Sequence, residues 1–349
     1  MRKRIAAVVA ASIVSAGAVA AVATAATTAS APKGHGGAKA SLYATGLDNP
    51  TSFAWGDGAM FAGDSGNSTT LPNGGVYVIK NHVGTKIASN AIFVGGMEFH
   101  KKVLYISAVT IGSTGPQFQI LAWKGWNGTT FTSQKAIYTA PSGFQGFNGI
   151  AFGPDGRLYV GVDTGLLNGN DHGPASTSPY LYDILSMNTS GKKLKVFAKG
   201  IRQPWQLAFA PKSSSPFASD LGQDTNSAGK NINPPDFILH VKKGQNYGFP
   251  KCNHTKGSKC KGYAKPFKTL KPHFNPMGMA VIGKKLYVGS WGQNGTTGGA
   301  LYWVPITGGK LKPVVTGFPA ATDALAAHDG DLYAGGAGPS GGVIYRVKP

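Results

Sequence analysis

Apolar and polar positions alternate with a period of two through most of this chain, and residues 148–165, NGIAFGPDGRLYVGVDTG, show the unit most clearly. Ile150, Phe152, Leu158, Val160 and Val162 alternate with small or polar residues around the turn Gly153-Pro154-Asp155-Gly156. That pattern predicts a β-hairpin. The outline, an apolar run, a Gly/Asp-type turn and a Leu-Tyr-Val run, recurs at irregular spacings of roughly 45 to 75 residues, the signature of propeller blades.

The repeats can be followed in order. The first holds Ser52-Phe-Ala-Trp55, Met60-Phe-Ala62 and Gly75-Val-Tyr-Val-Ile79; the second holds Val103-Leu-Tyr-Ile-Ser107 and Phe118-Gln-Ile-Leu-Ala-Trp123. The hairpin at 148–165 opens the third, Trp205-Gln-Leu-Ala-Phe-Ala210 the fourth, Met277-Gly-Met-Ala-Val-Ile282 the fifth and Leu325-Ala-Ala327 the sixth. Leu42-Tyr-Ala-Thr-Gly46 is left over at the start, and pairing it with the last repeat closes the ring. The expectation is an all-β, six-bladed β-propeller fastened by an N-terminal strand.

Composition agrees with that class: 349 residues with Gly 51, Pro 22 and 14% charged side chains suit a turn-rich single domain. Arg2, Lys3 and Arg4 precede an Ala/Val/Ile run from Ile5 to Ala26, which ends among small residues. This predicts a signal peptide over 1–31, a flexible mature terminus over 32–40 and the propeller over 41–349. An uncleaved anchor is the alternative. Cleavage leaves no stable membrane span, so the expected location is secreted or extracytoplasmic.

Cys252 and Cys260, inside KCNHTKGSKCKG, predict one local disulfide in an exported chain. Zinc bound by the pair with His254 is the weaker reading, because a second ligand pair is absent. The net charge of +20 favours polyanions. Its lysines are spread over turns without a basic helix or aromatic stripe, so no nucleic acid is expected as a partner. An anionic cell-wall polymer or acidic polysaccharide is a better candidate than nucleic acid, and a merely solubilising surface ranks above either. Gly63-Asp64-Ser65-Gly66 imitates a serine-protease motif but falls within a blade, where a turn is expected.

Four stretches resemble one family. GIRQPWQLAFAP at 200–211, NGIAFGPDGRLYVGVDTG at 148–165, DFILHVKKGQNYGFPKC at 236–252 and PHFNPMGMAVIGKKLYVGSWG at 272–292 are similar, in order, to segments of soluble glucose and sorbosone dehydrogenases. The resemblance implies a six-bladed propeller that oxidises a sugar with pyrroloquinoline quinone (PQQ) and calcium. Arg202 matches a cofactor-facing Arg, followed by Gln203 where the family has Asn. Asp163 matches the acidic residue of a Gly-Asp loop. Ser219-Asp-Leu-Gly-Gln-Asp224 sits at the family's calcium loop, which makes Gly222, Gln223 and Asp224 candidate metal-site residues alongside Asp163.

The chain departs from the family at its catalytic His, whose place is taken by Gln145, Gly146 and Phe147, and at a later Lys, which falls at Trp291 or Gly292. Gln145 cannot take a proton at neutral pH, so His172 and His273 are the substitute bases. Three functions follow. One is oxidation of a small sugar; the second is non-catalytic binding of a carbohydrate, polysaccharide or wall polymer; the third is a calcium-dependent, lactonase-type hydrolysis. The last requires converging carboxylates, for which Asp163, Asp220, Asp224 and Asp323 are the candidates.

Overall fold

Residues 31–67, 73–113, 115–164, 178–223, 233–255, 260–291 and 298–349 are described by the computed structural model. Among them every regular element is a β-strand, and no helix is long and apolar enough to cross a membrane.

Three antiparallel meanders of four strands follow one another. They comprise Ala91–His100, Val103–Gly112, Gly115–Trp126 and Phe131–Thr139; then Phe147–Phe152, Leu158–Val162, Ile184–Met187 and Lys195–Ala198; then Pro204–Phe209, Pro216–Asp220, Phe237–His240 and Lys268–Thr269. A fourth, Pro276–Ile282, Lys285–Ser290, Gly299–Pro305 and Lys312–Phe318, gains Lys33–Gly34 as an extra edge strand. The remaining strands form one eight-stranded sheet. On one side of it Pro50–Gly56, Ala59–Asp64, Gly75–Lys80 and Val83–Lys86 form a meander; on the other, Ala324–His328, Asp331–Gly338 and Gly341–Lys348 are completed by Lys39–Leu47. A single parallel pairing, Thr45 with Val83, joins the halves.

The first strand of each meander packs against the first strand of the next, from Pro50–Gly56 through Ala91–His100, Phe147–Phe152, Pro204–Phe209 and Pro276–Ile282 to Ala324–His328, which returns to Pro50–Gly56. This closed circuit is the arrangement of a β-propeller. Lys39–Leu47 pairs antiparallel with the last strand, so the closing role read for Leu42 to Gly46 is found in the fold. The lead-in segment is fastened as well: Lys33 and Gly34 pair with Thr316 and Val315, and the closing strand begins at Lys39.

Each apolar cluster spans two successive meanders, which explains why both faces of a strand are apolar. Ile150, Leu158, Val160 and Val162 pack with Tyr105 and Ile120 of the preceding sheet. Ala151 and Tyr159, pointing the other way, pack with Leu207, Ala218 and Leu239 of the following one. The intervening positions, read as small or polar spacers, are therefore core as well. Close approach of the inner strands depends on glycine: a side chain at Gly96 would stand 2.7 Å from the Gly149 Cα and 2.7 Å from the Ile150 nitrogen.

Candidate functional site at the ends of the inner strands

Each inner hairpin has a turn at one end and an open end at the other. Pro204 opposite Asp220 marks the open end of one, and Pro276 opposite Ser290 that of the next. Polar and charged side chains gather at these open ends, where register shifts loosen the ladder and expose backbone groups for side chains to meet.

Arg202 is 3% exposed. Its guanidinium donates to Gln203 Oε1 at 3.1 Å and to the Leu221 carbonyl at 2.8 Å. Gln203 then donates through its side chain to Asp163 Oδ1 at 3.2 Å and through its amide to Asp220 Oδ1 at 2.8 Å. One residue further along, Gly222 donates its N–H to Asp236 Oδ1 at 2.6 Å, and Asp236 Oδ2 accepts the Asn275 N–H at 2.7 Å. Trp291 donates its backbone N–H to the Asn275 carbonyl at 3.1 Å. A continuous polar belt thus runs from Asp163 across the third and fourth described meanders.

The structure brings Arg202, Gln203, Asp163, Gly222, Gln223 and Trp291 of the expected set to this belt or its border. Gln223 accepts from Asn253 Nδ2 at 2.8 Å through its Oε1. His273 contacts Asn233 Oδ1 at 2.7 Å through Nε2. Gln145 is directed elsewhere, donating to the Gly143 carbonyl at 2.9 Å and to Ser178 Oγ at 3.0 Å. His172 and Asp224 lie outside the described residues.

Two participants escaped the sequence reading. Asp236 begins the DFILHVKKGQNYGFPKC stretch, but nothing in its neighbours marks it as a link between two sheets. Asn148 is 1% exposed, and both of its side-chain polar atoms lack a hydrogen-bond partner. The buried Thr164 hydroxyl and Trp291 indole nitrogen lack partners too. Groups of this kind are costly to bury unless a ligand or water meets them.

Burial dominates the electrostatics. It pushes Asp220 up to about 7, against the pull of the Gln203 amide and Arg202, and it raises Asp236 as well. Asp323, whose two oxygens make no hydrogen bond, is pushed up to about 8 by burial, with the Trp291 indole and the Ala337 amide as donors nearby but out of bonding geometry. Its unfolded form loses the proton first, from about 4, so Asp323 lowers stability progressively as pH rises from about 4 to about 8. Raising the pH from 6 to 9 is therefore expected to lower the melting temperature. Asp323→Asn should flatten that dependence and be more stable than wild type at pH 9; a scan showing identical slopes would remove the assignment.

A small cavity adjoins Arg202, Asp220, Gly222, Pro234 and Pro235, and the Cys252 loop forms another wall of it. Its volume of about 20 Å³ accepts a water or an ion. Phe237, Leu239, Tyr247 and Phe249 make much of its wall apolar, and beside it the Pro235 carbonyl, Asp236 Oδ1 and the Pro234 carbonyl lie 2.9, 3.0 and 3.2 Å from where a Gly222 side chain would begin. A hard cation such as calcium suits that donor set. PQQ, with three carboxylates, does not suit the described residues. One buried guanidinium already engaged with protein oxygens faces it, alongside Asp163, Asp220 and Asp236.

Cys252 and Cys260 are joined in a disulfide, with Cα atoms 5.1 Å apart. His254 lies beside them, but its Nε2 meets the Tyr247 carbonyl at 2.8 Å and the sulfurs are bonded to each other, which leaves no thiolate pair for zinc. Asp64 of the protease-like tetrapeptide accepts the Asp48, Asn49 and Gly66 amides, the turn role expected of it.

No family model matches the chain, and no curated protein does. Solved structures share the fold, and those similar to this chain include sugar dehydrogenases and gluconolactonases. A protein of Thermus thermophilus described as an oxidoreductase (glucose dehydrogenase) is 20% identical, with a TM-score of 0.68 over 89% of this chain and 100% of that one. The holo form of the pyranose dehydrogenase PQQ domain of Coprinopsis cinerea is 14% identical, with a TM-score of 0.64 over 91% of this chain and 97% of that one. A gluconolactonase of Xanthomonas campestris is 13% identical, with a TM-score of 0.54 over 91% and 94%. At these identities the likeness establishes the fold.

Proposed function

We propose that this is an exported, six-bladed propeller that binds a small sugar at the open ends of its inner strands, together with a calcium ion at the Gly222 shelf. The observation that carries the reading is the belt joining Asp163, Gln203, Arg202, Asp220 and Asp236 beside a small cavity. Carboxylates, amides and a guanidinium are the groups that pair with sugar hydroxyls. The six-blade count is supported by the division of the eight-stranded sheet at one parallel pairing and by six inner strands in circuit. Export is supported by the N-terminal pattern and by the disulfide.

Oxidation of the sugar is the second reading. It is favoured by the fold and by His273, whose imidazole is held on Asn233. PQQ would act as the electron acceptor, and its poor match to the described residues ranks this reading below binding. Purified protein given calcium, PQQ and a panel of aldoses separates the two. Calorimetric sugar binding without dye reduction supports the first reading, and dye reduction that depends on both additions supports the second. The same panel extended to aldonolactones tests hydrolysis, and absence of binding and turnover alike would remove the proposal.

A further inference from the structure

The inner hairpins carry a second concave surface at their turned ends. Gly56 pairs with Ala59 at the turn of one hairpin, and His328 pairs with Asp331 at the turn of its neighbour in the ring. The polar belt lies at the open ends. Pro50–Gly56 is seven residues long, so about 20 Å of strand separates the two ends. A groove of about 800 Å³ lies at the turned end, within the 300 to 1,000 Å³ typical of ligand sites.

Its walls are aromatic. Trp55 stacks on His328 with ring centroids 4.7 Å apart and 9° between planes, and it leans on Tyr333 at 4.8 Å. Tyr43 meets Tyr333 edge to face at 5.0 Å, and Trp126 lines the groove from the next meander. These rings hold one another in place, so binding would order little. At the rim stand the exposed carboxylates of Asp57 and Asp329, the latter 3.3 Å from His328 Nε2.

We propose that this groove binds pyranose units of a neutral glycan chain, a sugar site separate from the belt. Aromatic walls match the C–H faces of a pyranose, and rim carboxylates accept its hydroxyls. The charge argues for a neutral occupant over an anionic polymer. A chain with Asp+Glu 14 against Lys+Arg 34 places two of its few acids here, while the one lysine of the lining, Lys80, donates its Nζ to the Gly128 carbonyl at 2.6 Å. Held this way on a polysaccharide, the protein would keep its opposite end free for short sugars. The inference stands whether or not the belt performs any chemistry.

Calorimetry with cellohexaose, xylohexaose, maltohexaose and mannohexaose tests it, with dextran sulfate as the anionic control. At least one hexasaccharide should bind, with affinity unchanged between about 50 and 500 mM salt. Trp55→Ala should weaken binding at least tenfold. Because Trp55 also touches the core, the exposed pair Asp57→Asn/Asp329→Asn provides a second variant, expected to weaken binding about threefold. Arg202→Gln, which alters the belt, should leave hexasaccharide affinity intact. The proposal is overturned if no hexasaccharide binds, if dextran sulfate alone binds, if the double variant binds as wild type does, or if Arg202→Gln abolishes the binding.

Discussion

Asp236→Ala is expected to cost about 3 kcal/mol of stability and to abolish the proposed calcium binding. The carboxylate is 2% exposed and accepts two amides, from Gly222 at 2.6 Å and Asn275 at 2.7 Å. Removing it leaves two buried N–H groups unmet, each costing about 1 to 3 kcal/mol. It also takes an oxygen from beside Gly222 and a countercharge from the neighbourhood of Arg202. Asp236→Asn keeps one acceptor and should recover about half of the lost stability. Urea unfolding followed by fluorescence reads the first effect and calorimetry the second. A midpoint within experimental scatter of wild type would show that the carboxylate does not tie the two sheets together.

Reduction of the Cys252–Cys260 bond is expected to cost about 2.5 kcal/mol, the chain-entropy value for a loop this short. The effect reaches the site, because Cys252, Asn253 and His254 wall the cavity and Asn253 donates to Gln223 Oε1. Calcium affinity should therefore fall together with stability when a reductant is added, and Cys252→Ala/Cys260→Ala should reproduce both losses without it. If the reductant changes neither in wild type, the loop is not held by this bond.

The hairpins, the closing strand and the disulfide were legible because each is written locally, in a turn residue, an apolar alternation or a short Cys spacing. Ala151 and Tyr159 were misread for a different reason. A sheet sandwiched between two others is apolar on both faces, and a single hairpin does not reveal its second neighbour. Arg202, Gln203 and Asp163 meet through hydrogen bonds at strand ends whose order around the ring follows from the repeat. Asp236 could not be found that way: its importance comes from meeting Gly222 and Asn275, and only packing brings those two amides to one carboxylate. Gln145, which the family resemblance sets where a base would stand, is turned toward Ser178 and Gly143 by hydrogen bonds that sequence order does not encode.

The belt around Arg202 is the centre of this account, and calorimetric titration of the intact protein with an aldose panel in calcium tests it most directly. One-site binding of at least one monosaccharide is predicted, lost on chelation of calcium and lost in Arg202→Gln. Heat from no aldose at all, or binding that survives both chelation and the substitution, would contradict it.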